Sequence, residues 1–504
     1  MKNKFCELFI GLAVFAGITS IHASVAFTNL VFFTYTNPPA YGWNFETPNG
    51  HTSALVQGID GNFYGTTFIG GTNYIAIGSG YYDYGTVFKM TPGGTFTSLY
   101  SFSGPDGRGP VGNLMQGADG NLYGTTTDGG ALYDVSNGSL FQITTNGILT
   151  TLYSFGLSGD FTNIDPSAIF HTGAHPVAGV VQGTDGNFYG TTTTGGDADG
   201  DFEHDQGTVF QFTAGGTMNV LHAFLSYTNP VFSVDGGMPG SELIEGPDGS
   251  FYGTTYRGGT NDNGTIFRIT TNGTFTALYS FSSIAGGTYA PLLLGKDGNF
   301  YGTAQGIGNS GNGSGIIFQF TTNGVFTILH TFFFDGGTSG LIQGSDGNFY
   351  GTTSQGGPYD PPYGGGTVFQ MTTNGTLTTL YSFSGPDGQE PEGALVESRD
   401  GNLYGTTSSG GPGYEPGPGP TGYGTIFRIT IPPAFQSITR TNGIVSLTWS
   451  AMSNQVCQVQ YSTNLVSPNW INLGSAITVT NSPVSAIDST ATDTQRFYRI
   501  MLMQ

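Results

Sequence analysis

Apolar and polar positions alternate along this chain in short runs that recur in a fixed order. A run such as ALVQGI at 54–59 ends in Asp-Gly, NFYGTT follows, and a Gly-rich connection leads to GT[VI]F plus one polar and one apolar residue. A turn such as TNG then opens a run of the LTTLYSF kind. A period near two predicts strands, and Asp-Gly between apolar runs predicts a hairpin, because Gly accepts positive φ and Asp caps the turn. The central octapeptide returns seven times, at 60, 119, 185, 248, 297, 346 and 400, at intervals of 49 to 66 residues. A unit recurring at such intervals indicates a repeat architecture, and its four strands are called A to D here.

Every copy keeps Tyr before Gly after the turn, at Tyr64, Tyr123, Tyr189, Tyr252, Tyr301, Tyr350 and Tyr404. Gly inside a strand marks a bulge or a close backbone approach, and the aromatic beside it fills space, so these tyrosines read as packing residues. Strand C carries a long donor at Lys89, Gln142, Gln211, Arg268, Gln319, Gln370 and Arg428. Between apolar neighbours such a side chain is expected to satisfy an adjacent loop or strand edge.

Strand D follows strand C only six times. The missing copy stands at the N-terminus, where FTNLVFFTY at 27–35 has the strand D pattern without a strand C before it, while the last strand C at 424 has no strand D after it. The ends complete each other, and closure of a ring removes exposed sheet edges. Apolar residues on both faces of strands C and D suit sheets packed between sheets. The expectation is all-β: a seven-bladed β-propeller over residues 27–432, closed by the N-terminal strand.

Strand parity puts the short A–B and C–D turns on one face of such a ring and the variable B–C and D–A connections on the other. The long insertions, at 37–50, 68–84, 157–176, 193–206, 226–238, 354–365 and 408–423, all belong to the second class. Long loops on a rigid scaffold are where recognition resides.

The two ends differ from the repeats. Lys2 and Lys4, an apolar run from Leu8 to Ile18 and small residues from Ala23 to Ala26 predict a secretory signal peptide over 1–26, hence export to the cell surface or beyond. After Pro432 and Pro433, the segments IVSLTWSA, VCQVQYSTNL, NWINL, AITVTN and RFYRIML predict a small antiparallel sandwich over 433–504 with Trp449 and Trp470 in its core. Cys457 lies on an apolar strand there, and Cys6 is lost with the leader, so no intramolecular disulfide is expected.

Composition narrows the partners. Gly numbers 85 of 504, aromatics are 14%, and the formal charge of −21 becomes −22 without Lys2, Lys4 and Glu7. So acidic a chain is repelled by phosphate backbones and anionic lipid, which argues against nucleic acid. No further run long enough to span a membrane exists, and a monomer is expected.

The DGN[FL]YGTT, GT[VI]F and LYSF elements resemble the GloVer (Gloeo/Verruco) tandem repeat of "choice-of-anchor" secreted bacterial proteins over about 400 residues. The resemblance implies an exported, propeller-like protein, brings no catalytic residues, and goes with fibronectin type III-like terminal modules, to which 433–504 is similar. A looser similarity links the Asp-Gly-Asn-aromatic turn to virginiamycin B lyase propellers, whose repeats read like GPDGNLWFTE; Pro247 to Gly249 fit that pattern, but its Trp and Glu have no counterpart.

Two stretches carry candidate chemistry. In DADGDFEHD at 197–205, Asp197, Asp199, Asp201 and Asp205 occupy positions 1, 3, 5 and 9 of a loop able to wrap carboxylate oxygens around Ca²⁺, although Phe202 stands where such loops carry Gly. His171, His175, Glu203 and His204 fall in insertions of the same face and make a candidate metal or general-base cluster. His222 and His330 replace the Tyr of LYSF and read as packing, and His51 has no visible partner. Three functional classes fit. The favoured one is a noncatalytic surface protein whose loops bind a polysaccharide or another surface component; the others are a lyase or hydrolase resembling virginiamycin B lyase, and a rigid scaffold displaying the C-terminal module.

Overall fold

The structure is a computed structural model that describes residues 12–14, 17–19, 25–33, 53–77, 80–130, 137–156, 172–196, 206–224, 233–282, 286–306, 314–332, 337–358, 364–414, 422–464, 468–493 and 495–503. These residues are all-β. Leu12–Val14 and Gly17–Thr19, in the expected leader, pair as a short hairpin. Seven four-stranded antiparallel sheets follow the repeats, six of them in the order A-B-C-D. In the seventh, Val396–Glu397, Asn402–Thr407 and Thr425–Thr430 are strands A to C, and Ala26–Phe32 supplies the fourth position by pairing with Thr425–Thr430.

One irregularity shows that this N-terminal strand is a true strand D. Every C–D pair shifts register between the aliphatic residue and Phe of strand C, as at Val87/Phe88, which leaves Leu99 of the partner strand without a register partner. Ala26–Phe32 shifts at Asn29/Val31, skipping Leu30, the Leu of its own FTNL. The bulge travels with the sequence motif, not with chain position.

Strand A is shorter than the apolar run suggests. It holds two residues, Val56–Gln57 in the first sheet, because Gly58 N–H already donates to Asn62 O at 2.8 Å and the turn begins there. Strands B and C are buried on both faces, whereas strand D is exposed over its first half, as in Phe96–Ser101. The expectation of two covered faces therefore holds for strand C and fails for strand D, the outer strand of each sheet.

The Tyr-Gly pair is explained by contact. A Cβ on Gly65 would lie 2.6 Å from Cζ of Phe88, its register partner on strand C, so only Gly lets that ring lie across strand B. The Tyr ring turns the other way, onto strand B of the next sheet: Tyr123 on Phe188 at 4.3 Å, Tyr189 on Phe251 at 3.9 Å, Tyr301 on Phe349 at 4.4 Å. Tyr404 of the last sheet packs on Phe63 of the first at 4.2 Å, within a core that also joins Ile426 to Phe88 and Met90.

On the short-turn side a polar circuit runs beside these cores. Asp60 Oδ2 accepts from Tyr64 Oη at 2.8 Å, Asn62 Nδ2 at 2.8 Å and Lys89 Nζ at 2.9 Å, which is where the strand C donor goes. Burial opposes ionisation of Asp60, but the Asn62, Lys89 and Tyr64 bonds outweigh it and hold the carboxyl well below its usual range. Neighbouring sheets are stitched through the end of strand A: Ile59 N–H donates to Gln116 at 2.7 Å, Ala118 to Gln182 at 2.9 Å, Thr184 to Glu245 at 3.0 Å, Lys296 to Gln343 at 2.8 Å and Ser345 to Glu397 at 2.7 Å. Arg399 N–H donates to Gln57 at 2.9 Å, from the last repeat back to the first.

The remaining seam, between the fourth and fifth sheets, has Pro247 where the donor should be and Leu294 where the acceptor should be. Each substitution makes the other harmless, since Pro has no N–H and Leu no acceptor. Leu294→Gln alone is expected to cost about 1 kcal/mol by presenting an amide to Pro247, and Pro247→Ser combined with it should recover about that amount. Urea denaturation of the four-member cycle reads the coupling; strictly additive effects would disprove the stitch.

Residues 434–503 form two further antiparallel sheets. Ala434–Thr441, Ile444–Ser450 and Val484–Asp488 make one, and Val456–Ser462 with its partners, among them Phe497–Met503, makes the other. Trp449, Leu447, Val459 and Ile500 fill the core between them. Cys457 is buried there, and burial pushes its thiol up to about 11, so it is packing and not a reactive group. Trp470 corrects the expectation of a second core indole: it is only half-buried and lies under the Arg499 guanidinium at 4.4 Å.

This unit meets the repeats around Met452. Met452 is fully buried among Tyr350, Leu403 and Ile431, Ser453 N–H donates to Ser345 Oγ at 2.6 Å, and Gln455 Nε2 donates to Ile431 O at 2.7 Å. Gly401 records the docking: a Cβ there would meet Gln455 Cγ at 2.7 Å, while the Asp-Gly glycines of the other six repeats, such as Gly61 and Gly120, face open space.

Candidate functional site

The face opposite the short turns carries the irregular chemistry. Among the described residues, four backbone bridges tie a D–A connection to the B–C connection of the following sheet: Arg108↔Asp128, Ala174↔Thr194, Gly237↔Arg257 and Gln389↔Ser409. Beside three of them, His175, Met238 and Glu390 hold φ of 53°, 52° and 55°, where the first repeat has Gly109 at 63°. Each precedes a proline, at Pro176, Pro239, Pro391 and Pro110. Non-Gly residues held in this region cost of order 1 kcal/mol or more, sustained here by the surrounding bridges.

Of the candidate metal and general-base residues, only His175 lies among the described ones; His171, Asp197, Asp199, Asp201, Glu203, His204 and Asp205 fall outside them, as does His51. His175 Nδ1 stands 3.2 Å from Thr127 O and 3.4 Å from Asp128 Oδ1, and Arg108 Nη2 donates to Asp128 Oδ2 at 3.0 Å. Burial works against the Asp128 charge, but His175 and Arg108 together hold its carboxyl below the usual range. The sequence reading missed Arg108 and Asp128. Aligning the repeats puts 108 and 128 at matching loop positions, the one signal that could have found them.

His222 Nε2 donates to Asp235 Oδ2 at 3.0 Å, and the ring stacks on Phe275 at 3.8 Å, repeating the Tyr381–Phe27 and Tyr279–Phe326 stacks of other sheets. His330 sits edge-on to Phe332 at 4.8 Å. Both are therefore packing positions. Among the described residues no group of three or more His, Cys, Asp or Glu is placed to hold a metal ion.

Three further features were illegible in the sequence. Glu390 Oε2 accepts from Ser409 Oγ at 3.2 Å, while the nearby Glu392 keeps Oε2 buried without a hydrogen-bond partner. Burial, and then the neighbouring Glu390 carboxylate, push Glu392 up to about 8, which favours its protonated form at neutral pH. Glu242 lines a cavity of about 440 Å³ together with Val56, Leu114, Met115 and Val181, and burial raises its carboxyl despite bonds from Asn113 and Gly179. Tyr256 and Tyr289 stack at 4.6 Å with only 9° between their planes. The Tyr289 ring rests over Gly240, where a Cβ would come within 2.2 Å of it. Tyr256 is thus the half-buried outer plate of a stack seated on backbone, with the exposed Arg257 next to it.

Such an arrangement defines an all-β repeat protein of propeller-like build with a loop face of aromatic, acidic and cationic groups. The chain belongs to the Gloeobacter/Verrucomicrobia repeat family, whose model matches residues 15–233, 162–341 and 315–443. No curated protein matches it. Among solved structures it is similar to a virginiamycin B lyase from Staphylococcus aureus, at 16% identity and a TM-score of 0.47 over 81% of this chain and 99% of that one. A streptogramin B lyase gives 15% identity and 0.46 over 81% and 98%. A luciferin-regenerating enzyme gives 12% and 0.36 over 75% and 90%. At these identities and scores, neither residues nor activities transfer to this chain. No helix among the described residues is long and apolar enough to cross a membrane.

Proposed function

We propose that this protein is an exported, monomeric seven-bladed β-propeller, sealed by its N-terminal strand, that binds a polysaccharide or a similar surface component on its long-loop face without transforming it. The observation that supports this most directly is the Tyr256–Tyr289 stack on Gly240. A sugar ring presents an apolar C–H face, and a flat aromatic plate whose support cannot yield is the side chain that binds such a face at small entropic cost. The module at 433–504, fibronectin type III-like in this reading, serves attachment or sorting; its Met452 contact holds it against the sixth and seventh sheets, on the side away from the loops.

The test is retention of the purified mature protein on insoluble and immobilised polysaccharides, with Ca²⁺ or with EDTA, while the supernatant is assayed for released or unsaturated products. Retention without product is expected, falling about tenfold for Tyr256→Ala. Loss of retention in EDTA would assign the calcium loop to 197–205. The buried, unpartnered Oε2 of Glu392, on a carboxyl that burial pushes up to about 8, favours a second reading, because a glycan lyase or hydrolase needs a protonated carboxylic acid as its proton donor. Product in the supernatant that disappears in Glu392→Gln would put the enzyme first. Neither retention nor product would leave the rigid display scaffold.

A further inference from the structure

We propose that Arg257 makes the Tyr256 plate a receptor for a carboxylate-bearing sugar, a uronic acid set in an otherwise sparsely charged chain; this rests on the sugar-binding reading of Tyr256. Beyond the leader the chain has ten Lys and Arg residues. Four pair with aspartates, four donate to carbonyl or amide oxygens, and Arg428 is half-buried with its Nε out of reach of solvent. Among the described Lys and Arg residues, Arg257 alone is exposed with a side chain that makes no hydrogen bond or ion pair. Beyond the leader, where 32 acidic residues stand against ten basic ones, a guanidinium left without a carboxylate is held apart from many available partners.

Its backbone is fixed all the same. Arg257 N–H donates to Gly237 O at 3.1 Å, Gly237 N–H returns a bond to Arg257 O at 2.9 Å, and Thr255 Oγ1 donates to Arg257 O at 2.9 Å. Tyr256 N–H donates to Met238 O at 3.2 Å, so plate and cation are anchored to the same strained loop. Arg257 is also near enough to Tyr289 to oppose the rise that burial imposes on its phenol. The Tyr256 hydroxyl has no hydrogen bond among the described residues, which leaves a second donor beside the first.

The chemistry selects its ligand. A stacked phenol accepts the C–H face of a pyranose, and the planar guanidinium matches a planar carboxylate with two parallel N–H···O bonds. The surrounding negative field rejects dense polyanions, because every further carboxylate or phosphate meets repulsion. One acidic substituent among neutral sugars satisfies both conditions.

The experiment is calorimetric titration of the full-length mature protein with glucuronate, glucose and acetate, on the wild type and on Arg257→Gln, Arg257→Lys and Tyr256→Ala. Glucuronate is expected to bind about tenfold more tightly than glucose. Arg257→Gln should bring glucuronate down to the glucose level and leave glucose unchanged, Arg257→Lys should recover part of the difference, and Tyr256→Ala should weaken both sugars. Glucuronate binding no better than glucose, or indifferent to Arg257→Gln, overturns the inference while sugar binding stands. Failure of both sugars removes the inference and the reading beneath it. Acetate binding as tightly as glucuronate also overturns it, since that describes an anion site without a sugar. Arg257 is exposed, so each variant at that position is expected to keep the wild-type melting temperature, and a drop would mark a structural role instead.

Discussion

Removal of residues 25–33 is expected to abolish soluble monomer and leave aggregate. The segment contributes the whole fourth strand of the seventh sheet, paired from Ala26↔Thr430 to Phe32↔Thr425. Without it Thr425–Thr430 presents an unpaired edge, a template for pairing with other chains. The loss reaches two cores. Phe27 stacks on Tyr381 at 3.8 Å and packs on Phe427, while Leu30, Val31 and Phe33 cover Phe63 and Phe88 of the first sheet. Asn29 Nδ2 also donates to Asp387 O at 3.1 Å, across the neighbouring D–A connection. Phe27→Ala, which truncates one half-buried ring, should cost about 3 kcal/mol, and the full deletion more than a domain of ordinary stability can lose. Size-exclusion chromatography and thermal melts decide the matter, with a synthetic 25–33 peptide added back as the specific rescue. A deletion variant that stays monomeric with an unchanged melting temperature would refute closure by this strand.

Replacement of Glu392 by Gln is the second large effect, and its pH dependence has a sign opposite to that of the hydrogen-bonded turn aspartates. The folded state raises this group from near 4.5 to about 8. Its contribution is therefore fully present below the unfolded value and is lost as pH rises from about 4.5 through 8, because the folded protein must then carry a buried charge beside Glu390. Wild type should lose stability between pH 5 and pH 9, by about 3 kcal/mol once relaxation is allowed for. Glu392→Gln should flatten this fall and exceed wild type above pH 8, even though Gln gains no new partner. Denaturant melts across that range provide the comparison. Equal pH dependence in both proteins would show that Glu392 is ionised and solvated at neutral pH.

The contrast with the turn aspartates is instructive. Asp60 and Asp248 sit in a motif that supplies their donors within a few residues, plus one from strand C, and their carboxyls lie low. Glu392 sits in a connection without such a motif, and its environment is set by Glu390 and by whatever packs over it. Sequence reading found the first kind and missed the second.

The same division runs through the candidate site. DGNFYGTT specifies its own hairpin because Asp60, Gly61, Asn62 and Tyr64 are within four residues of one another and their hydrogen bonds are local. Seven copies then repeat one solution, and the order of sheets follows from the order of repeats. The stitch from Ile59 to Gln116 could be inferred by aligning repeats, as could the compensating Pro247 and Leu294. Docking of Met452 could not, since a methionine in a four-residue turn carries no periodic signal.

By itself the sequence determined strands, turns, the N-terminal strand as a displaced strand D, and the face on which long loops gather, because backbone preference and alternation act over a few residues and recur. Tertiary structure alone decided which side chains meet there. Arg108, Asp128 and His175 come from three connections, Tyr256 finds Tyr289 across a sheet, and Arg257 is left without a partner. Burial and charge are set by neighbours distant in the chain, so the scaffold can be read from local pattern whereas its chemistry exists only once the sheets are side by side.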